Sequence, residues 1–364
     1  MTSDATTTID LTSKRQLRDD GFVVIKQAIP PHVVEAARSV ITAALPKNER
    51  RLLMPTEITT HPSVIGLFYD SAIAPILEHL IGPFPPIISS QVAVTPSHDD
   101  LGGRPGIHVD GGWSGPIPKN AEDIDPLKHR PMDAVRYFGE HDEIRGSNDG
   151  LLWMDPDKRI SCGSYTALVG ACLSEQMEQG NGQFAVLKGL HEEVEQVFQR
   201  QRDAGSVIGA EGVDWPRIKV DRRGRPFCNG LPDSIRARAS SLAKTNPKID
   251  NWPWPELSPV LMEPGDVVIA MHSLPHTATP NFGPNPRMNV YFRVRRLRED
   301  NPHEGTRRIG HGVSDHPDRG YFGQFLDYPE SYDPWETSID KLCDHWSEWD
   351  GMQEVLAEAR ALRS

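Results

Sequence analysis

The 364-residue sequence predicts a mainly β protein with flanking helices, in which short strands form a sandwich or a closed barrel, of which the jelly roll is one form. Three observations predict this class. From residue 87 onward, short apolar runs alternate with turn residues. The 32 prolines and 30 glycines suit many turns better than long helices. A content of 37% hydrophobic residues is ordinary for a globular protein that buries a substantial core.

The first part of the chain predicts one strand and two helices. Residues 1–13 are polar and are expected to form a loose tail. Residues 18–29 change from polar to β-branched after a glycine, which predicts a first strand. Apolar residues recur at helical spacing over residues 33–44, which predicts a helix with one buried stripe. A second helix is predicted over residues 71–81, where a Gly-Pro pair ends it.

The second part predicts a series of strands interrupted by two inserts. The best strand patterns lie at residues 87–96, 106–113, 165–174, 182–191, 265–273 and 288–296. Polar inserts at residues 114–161 and 202–259 are long enough to form a lid and to determine substrate specificity. Residues 338–362 predict a C-terminal helix. A single domain over residues 1–364 is the simplest organisation.

Charge and cysteine content exclude several classes of partner. The net charge of −12 argues against binding to nucleic acid or to an anionic membrane surface, because both need a basic footprint. The first 14 residues lack the apolar core of a signal peptide, and no apolar run has the length of a membrane span. Without CxxC spacing, a reduced cytoplasmic protein is expected. The four cysteines are Cys162, Cys172, Cys228 and Cys343. No pattern in the sequence indicates the oligomeric state.

The first segment that carries chemistry is His108-Val109-Asp110. Residues two apart on a strand project from the same face, so an imidazole and a carboxylate would converge on one point. These are two of the three ligands of the facial triad of non-haem Fe(II) oxygenases. A competing tripeptide at residues 98–100 follows a proline among polar residues and is interpreted as a turn. His108 lies between two apolar residues, which favours a half-buried strand end.

The second segment, residues 265–294, contains a buried strand, two histidines and a strand with two different faces. His272 and His276 precede the second strand. In that strand Met288, Val290, Phe292 and Val294 form the apolar face, whereas the polar face consists of Arg287, Asn289, Tyr291 and Arg293. A buried arginine on this face would need an anion, and a dicarboxylate would suit its planar fork. The alternative is a solvated face with both arginines exposed, and the strand pattern alone does not decide between the two.

Taken together, these segments resemble the phytanoyl-CoA dioxygenase family of Fe(II)/2-oxoglutarate oxygenases. The segment "DGFVVIKQAIPPHVVEAAR" resembles the family's opening strand and helix, and "HVDGGW" resembles its H-x-D segment. "GNGQFAVLKGLH" is similar to a strand and turn that have the pattern "NGxLxVxPGSH" in the family. This sequence has Lys-Gly-Leu-His where the family has Pro-Gly-Ser-His. The last segment resembles the family's "GD…H…N…R" block. There the arginine follows the metal-binding histidine by eleven residues, as Arg287 follows His276 but not His272.

The resemblance implies a double-stranded β-helix, cupin-like core and a set of site residues. His108, Asp110 and His276 would bind Fe(II), while Arg287 and Gln91 would bind 2-oxoglutarate. O2 would be the third reactant, and succinate and CO2 would be released. Hydroxylation of a small organic molecule is expected, because related halogenases lack the carboxylate at the position of Asp110. The substrate pocket would be lined by Trp113, Asn289 and Tyr291.

Other candidates have structural interpretations, and two other functions stay open. His191 is expected to be a turn residue, and His272 to pack beside the site. His311, Asp315 and His316 are expected on the surface. The tryptophans of the second insert would either cover the site or anchor their loop; they are Trp215, Trp252 and Trp254. The alternatives are a 2-oxoglutarate-independent jelly-roll metalloenzyme, such as a cupin-type dioxygenase or isomerase, and a non-catalytic binding protein of the same fold.

Overall fold

Antiparallel strands with flanking helices make up the described part of the protein. The computed structural model describes residues 8–45, 52–84, 86–97, 107–109, 159–160, 166–204, 214, 219–220, 226–227, 231–235, 257–294, 296, 327–328 and 346–362. The α-helices are α1 (Leu11–Asp20), α2 (Pro31–Ala43), α3 (Thr56–Thr59), α4 (Pro62–Tyr69), α5 (Ile73–Ile81), α6 (His191–Asp203) and α7 (Gln353–Ala361). The strands are β1 (Phe22–Ile25), β2 (Leu52–Leu53), β3 (Gln91–Thr95), β4 (Arg159–Ile160), β5 (Ala167–Cys172), β6 (Phe184–Val186), β7 (Lys219–Val220), β8 (Pro226–Phe227), β9 (Ser258–Pro259), β10 (Val267–Met271), β11 (His276–Ala278), β12 (Arg287–Val294) and β13 (Asp327–Tyr328).

Two antiparallel sheets form the centre of the described chain. The larger sheet has the strand order β1-β10-β5-β12-β3-β2, and the smaller has the order β11-β6-β9. Strand β12 lies inside the larger sheet, paired with β5 on one side and β3 on the other. There are also two short pairs, β13 with β4 and β7 with β8; β4 belongs to the first predicted insert, and β7 and β8 belong to the second. The second insert therefore ends before residue 258, because β9 belongs to the smaller sheet.

Successive side chains along each strand of the larger sheet point to opposite sides, and both faces of this sheet are apolar. Val169, Ile269 and Phe292 belong to a cluster on one face that also contains the buried residues of α2, α4 and α5. Their neighbours Leu168 and Val268 face the opposite way, into a second cluster that they share with strand β6 of the smaller sheet. This two-residue period is the one expected for strands that are buried on both faces. The helices therefore cover one face of the larger sheet, and the smaller sheet covers the other.

The predicted helices near the N-terminus are present, although their boundaries differ. The helix α2 buries Val33, Val34, Ala37 and Ile41, which is the stripe that its spacing predicts. The loose tail predicted for residues 1–13 is wrong from Leu11 onward, where α1 begins, and residues 1–7 lie outside the described residues. Asp10 caps this helix through a hydrogen bond from the Ser13 backbone N–H, 2.7 Å long. Helices α1, α3, α4 and α6 were not predicted; α4 contributes Leu67 and Phe68 to the core.

Of the helix predicted over residues 338–362, residues 338–345 lie outside the described residues, and residues 346–362 are less regular than predicted. Two 3-10 turns, Trp346–Glu348 and Asp350–Met352, precede α7. Gly351 lies directly against the end of α5, where an added Cβ would be 2.5 Å from the His79 carbonyl oxygen. This close backbone contact, rather than sequence propensity, explains why a straight helix does not run through the segment. Trp349 and Val355 are buried as the pattern predicts.

No single helix in the described ranges is both long and apolar enough to cross a membrane. The bent pair Glu57–Tyr69 and Ile73–Ile81 passes the length and composition criteria only when its two parts are taken together. Residues of both parts, among them Leu67, Phe68, Ile76 and Leu80, are buried in the core of the protein.

The Gly265-Asp266 turn precedes β10 and is hydrogen-bonded to the residues that follow β1. The Asp266 carboxylate is fully buried and accepts hydrogen bonds from Lys26 Nζ at 2.8 Å, the Gln27 backbone N–H at 2.9 Å and the Glu263 backbone N–H at 2.8 Å. Burial alone would raise the pKa of this carboxyl, but the hydrogen bonds from Lys26 and the two backbone groups hold its pKa below the usual value. Asp266 is therefore a structural residue that fixes the turn.

The Asp266→Asn variant is expected to unfold more easily at neutral pH, by roughly 1–3 kcal/mol, because it loses charge-assisted hydrogen bonds in a buried setting. Since folding lowers the pKa of Asp266, its contribution is fully present above the unfolded-state pKa of about 3.9 and is lost as pH falls through the folded pKa. Urea unfolding at several pH values measures this. The stability gap between wild type and variant should narrow in acid, and a gap independent of pH would contradict the assignment. Asp70→Asn, at an exposed carboxyl, is the control and should change little.

Candidate active site

A pocket lies between the two sheets, on the side of the larger sheet that faces away from the helices. The space within the pocket and its open mouth together is about 610 Å³. The larger sheet contributes residues of β3, β5 and β12, and the smaller sheet contributes Phe184 and all of β11. The described lining consists of Gln91, Ala93, Val94, Thr95, His108, Leu168, Phe184, His276, Thr277, Ala278, Arg287, Tyr291 and Arg293. Five of the predicted site residues, from four separate segments, therefore meet in one pocket: Gln91, His108, His276, Arg287 and Tyr291.

His108 and His276 lie side by side in this pocket. They form an isolated antiparallel bridge in which each backbone N–H donates to the other's carbonyl, at 3.0 and 2.9 Å. Directly opposed residues of an antiparallel pair project from the same face, and the two ring centroids are 4.7 Å apart. Nδ1 of His276 lies 2.9 Å from the Leu274 carbonyl oxygen. Because a carbonyl can only accept, this contact places the proton on Nδ1 and leaves Nε2 as the basic nitrogen.

The third predicted metal ligand, Asp110, lies outside the described residues, as does Trp113. Within the described ranges, no group of three His, Cys, Asp or Glu residues is close enough to hold a metal ion. The structure therefore brings together two predicted ligands, and the chain places Asp110 two residues after His108. The tryptophans of the second insert and the histidine cluster after residue 310 also lie outside the described ranges.

Arg287 is buried at the start of β12, with 2% of its surface exposed, which excludes the alternative of a solvated strand face. Its guanidinium donates to the Tyr291 hydroxyl at 3.0 Å, and a longer contact of 3.5 Å reaches the Ala93 carbonyl. Among the described residues, Nε has no hydrogen-bond partner. A buried guanidinium with an unused donor is suited to bind an anion, because desolvating this charge is costly without one.

A polar network behind Arg287 connects three more buried side chains. Tyr291 accepts hydrogen bonds from Arg287 and from Asn289 Nδ2, both 3.0 Å long. Asn289 in turn accepts from Gln176 Nε2 at 2.7 Å. Since the phenolic oxygen already accepts two bonds, its own proton remains to be donated, and no described residue accepts it. Asn289 and Tyr291, predicted to line the substrate pocket, thus contact Arg287 directly or through one another.

The loops around Arg287 explain two features of the sequence pattern. Gly182 has a φ of +75°, and a Cβ at this position would lie 3.1 Å from Cβ of Arg287, so the glycine lets the two segments approach. Asn281 donates from Nδ2 to the carbonyls of Thr95 and Asn285, at 2.9 and 2.8 Å. These bonds hold the loop between β11 and β12 and so fix the position of Arg287 relative to His276.

Gly170 of β5 provides the space that the Tyr291 ring occupies. A Cβ at Gly170 would lie 2.8 Å from both Tyr291 Cε1 and Val268 Cγ1. Gly170→Ala is therefore expected to displace the tyrosine and to destabilise the protein by roughly 1–3 kcal/mol, as for other overpacked cores. Urea unfolding measures the loss.

Gly66→Ala provides the control for that substitution. A Cβ there would meet only the end of the exposed Asp70 side chain, and alanine favours a helix interior, so stability should stay the same or rise. Equal destabilisation by the two substitutions would contradict the proposed role of Gly170.

Two other histidines lie away from the pocket lining. His191 begins α6, and its Nε2 lies 2.9 Å from the Arg18 carbonyl oxygen. His272 is buried beside Thr166, whose carbonyl accepts its backbone N–H at 3.3 Å. Cys172 faces the second cluster, but burial raises the pKa of its thiol to about 12, which leaves no thiolate at neutral pH. The described pocket therefore depends on imidazole, guanidinium, amide and phenol groups.

Sequence reasoning missed two polar residues of this region. Gln176 lies in an isolated bridge with Met262, outside any strand pattern, and only the fold brings its side chain to Asn289. Arg293 was visible on the polar face of its strand, yet the sequence gave no reason to choose it as a site residue. Its place in the pocket lining becomes evident only when the smaller sheet is in position.

No family model and no curated protein matches the chain. Solved structures that it resembles include HygX from Streptomyces hygroscopicus with nickel and 2-oxoglutarate bound, at 15% identity and a TM-score of 0.43, covering 79% of this chain and 88% of HygX. EctD from S. alaskensis with 2-oxoglutarate and 5-hydroxyectoine resembles it at 16% identity and a TM-score of 0.45, covering 90% and 87%. SnoK, a non-heme alpha ketoglutarate dependent carbocyclase from nogalamycin biosynthesis, does so at 15% identity and a TM-score of 0.41, covering 82% and 90%.

Proposed function

We propose that this protein is an Fe(II)- and 2-oxoglutarate-dependent oxygenase that hydroxylates a small organic molecule, on a jelly-roll core of the double-stranded β-helix type. The observation that carries the proposal is the pairing of His108 with His276 in the same pocket as the buried Arg287. In this assignment His108, Asp110 and His276 hold the iron. The 5-carboxylate of 2-oxoglutarate lies against Arg287, and Gln91 is placed to contact the same molecule.

The histidine pair has the donor chemistry that a metal needs. Both imidazoles project from one face of a bridged backbone, and the basic Nε2 of His276 is set by the Nδ1 contact to the Leu274 carbonyl. Such a backbone contact fixes the tautomer and orients a ligating ring. A carboxylate from Asp110 would complete the two-histidine, one-carboxylate set that favours Fe(II) with open coordination positions.

The arginine has the donor chemistry that the cosubstrate needs. Arg287 offers its unused Nε–H, and Tyr291 offers the hydroxyl proton for which no described residue is an acceptor. A carboxylate between them would accept from both and neutralise the buried charge. This feature favours the proposal over a 2-oxoglutarate-independent metalloenzyme, which would need such an anion site only for an acidic substrate.

The protein contributes to the reaction by binding, orienting and enclosing the reactants. When bound, iron and 2-oxoglutarate supply the oxidising chemistry, in which O2, 2-oxoglutarate and a C–H bond give succinate, CO2 and a hydroxylated product. Arg287 and Tyr291 fix the far end of the cosubstrate, while Asn289 and Gln176 hold Tyr291 in place. Phe184 packs against His276 with ring centroids 5.2 Å apart and restricts the motion of the imidazole.

Asp110 determines which oxidation is expected. Because its carboxylate would occupy a coordination position of the iron, hydroxylation is favoured over halogenation. Asp110→Gly is therefore expected to abolish formation of a hydroxylated product, measured by mass spectrometry once a substrate is in hand. Full hydroxylation by this variant would contradict the ligand assignment.

Measuring succinate formed from 2-oxoglutarate, with and without Fe(II), tests the proposed function. Iron-dependent succinate formation by the purified protein is the expected result. A cupin-type enzyme would use a metal without consuming 2-oxoglutarate, and a non-catalytic protein would give no turnover. Absence of both turnover and 2-oxoglutarate binding in an iron-loaded sample would reject the proposal.

A further inference from the structure

We propose that Asn289, oriented by Gln176, fixes the direction of the Tyr291 hydroxyl and so makes the site at Arg287 select an ionised carboxylate. The inference rests on the proposed function, because it deepens the assignment of this site to 2-oxoglutarate. Both amide side chains are fully buried, and neither is among the described residues of the pocket lining. They are therefore positioning residues, which act on the cosubstrate through Tyr291 without touching it.

The orientation of the Gln176 amide is set by a backbone carbonyl and a thiol. Nε2 of Gln176 lies 3.4 Å from the Ser174 carbonyl oxygen, which can only accept, and 3.0 Å from the sulfur of Cys172. The Cys172 thiol donates to the same carbonyl at 3.0 Å, which leaves its sulfur as an acceptor. Both neighbours therefore require the amide nitrogen, and not the amide oxygen, on this side of Gln176.

Asn289 transmits this orientation to the phenol. Gln176 donates from Nε2 to Asn289 Oδ1 at 2.7 Å, so the oxygen of the second amide faces the first. The nitrogen of Asn289 then faces the other way and donates to the Tyr291 hydroxyl at 3.0 Å. Arg287 donates to the same hydroxyl oxygen, also at 3.0 Å. With both donors in place, the phenolic hydrogen has to point away from them, towards a ligand.

This direction determines which chemical group the site accepts. The Tyr291 hydroxyl and the unused Nε–H of Arg287 are both donors, so the group bound there has to supply acceptors only. An ionised carboxylate does so, whereas an amide or a hydroxyl would bring hydrogens of its own. If the two amides faced the other way, Tyr291 would donate to Asn289 and would keep no hydrogen for a ligand.

Asn289→Asp tests the direction, because an ionised aspartate has the shape of asparagine but only accepts. The Tyr291 hydroxyl would then donate to the new carboxylate and be lost to the cosubstrate. Calorimetric titration of the full chain, with Mn(II) in place of iron so that no turnover occurs, measures the affinity for 2-oxoglutarate. We expect a loss of roughly tenfold or more, the size of one hydrogen bond to a charged group.

A double-mutant cycle with Tyr291→Phe separates the direction of the hydrogen bond from the added charge. The new carboxylate of Asn289→Asp would also repel 2-oxoglutarate, and this repulsion would act with or without the phenolic hydroxyl. If the direction matters, Asn289→Asp should weaken binding much less in the Tyr291→Phe background than in wild type. Equal losses in the two backgrounds, or an unchanged affinity in Asn289→Asp alone, would overturn the proposal.

Gln176→Glu tests the first step of the chain of hydrogen bonds. A carboxylate at this position would turn Asn289 so that its nitrogen faces residue 176 and its oxygen faces Tyr291. It should weaken 2-oxoglutarate binding in the same sense as Asn289→Asp, and again only while the hydroxyl is present. Gln183→Glu is the matched control, since Gln183 is equally buried but donates to the backbone carbonyls of Gln176 and Glu178. The control should lower stability without this dependence on Tyr291.

A second ligand distinguishes the carboxylate site from the rest of the pocket. 2-Oxopentanoate has the keto acid of 2-oxoglutarate but no second carboxylate, so its affinity should be the same in wild type, Asn289→Asp and Gln176→Glu. Equal weakening of both ligands in Asn289→Asp would show damage to the fold or to the metal site, and the proposal would be wrong.

The proposed function can fail separately from this inference. If wild type binds no 2-oxoglutarate in the presence of metal, the proposed function is wrong. Titration with glutarate, a dicarboxylate without the keto group, in the absence of metal then still tests the inference. Weaker glutarate binding in Asn289→Asp that disappears in the Tyr291→Phe background would support it, and glutarate binding that is independent of Asn289 would reject it.

Discussion

Replacing His276 by alanine is expected to abolish iron-dependent succinate formation and to remove stoichiometric Fe(II) binding. The variant loses one of two imidazoles whose ring centroids are 4.7 Å apart, and with it the basic nitrogen set by the Leu274 carbonyl. Without His276 the site would keep only one imidazole and one carboxylate, and the loss of this nitrogen donor is expected to weaken Fe(II) binding and the positioning of the cosubstrate. Equilibrium dialysis of Fe(II) under anaerobic conditions measures the loss directly, and the succinate assay measures its consequence.

His272→Ala is the control for His276→Ala. His272 is equally buried and lies four residues earlier, but it is outside the pocket lining and lacks the eleven-residue spacing to Arg287. It should lower stability without removing iron binding. If His272→Ala abolished iron binding while His276→Ala retained it, the choice between the two histidines would be reversed.

Replacing Arg287 by glutamine is expected to weaken 2-oxoglutarate binding by roughly 30-fold or more, the loss associated with truncating one partner of a buried, hydrogen-bonded charge pair. The glutamine cannot supply the charge or the fork of donors that a carboxylate would occupy. The variant also leaves Tyr291 with one donor instead of two. Calorimetric titration of the Mn(II)-loaded protein with 2-oxoglutarate measures the change.

Arg287→Lys tests whether charge alone is sufficient. Lysine keeps the positive charge but lacks the planar fork of donors. The affinity of Arg287→Lys for 2-oxoglutarate should therefore lie between those of wild type and Arg287→Gln. Arg296→Gln removes a paired, largely buried arginine outside the pocket and should leave the affinity unchanged. If the affinity for 2-oxoglutarate were unchanged in Arg287→Gln, Arg287 would not bind the cosubstrate and the assignment would be wrong.

Much of the sheet was predictable because strands buried on both faces have simple signatures. The runs that became β5, β10 and β12 are apolar, β-branched and bounded by turn residues. The polar face of β12 could be identified by counting alternate residues, and the family resemblance supplied the eleven-residue spacing that favours His276 over His272. These predictions depend on local order in the chain, which sequence reasoning handles well.

The missed features depend on contacts between distant segments. The segment around His108 was predicted as a strand, but in the described residues only His108 itself pairs, with His276, 168 residues away. The side chain of Gln176 reaches Asn289 across a separation of 113 residues. The C-terminal helix is interrupted where Gly351 meets α5, a contact that no propensity reveals. In each case tertiary packing overrides or adds to the local pattern.

Anaerobic titration of the Fe(II)-loaded protein with 2-oxoglutarate tests the central claim most directly. It measures whether the pocket between the sheets binds iron and 2-oxoglutarate at the same time. The account predicts equimolar binding of 2-oxoglutarate that requires the metal, is lost in His276→Ala and is strongly weakened in Arg287→Gln. An iron-loaded wild-type protein that binds no 2-oxoglutarate, or binds it equally well in both variants, would contradict the account.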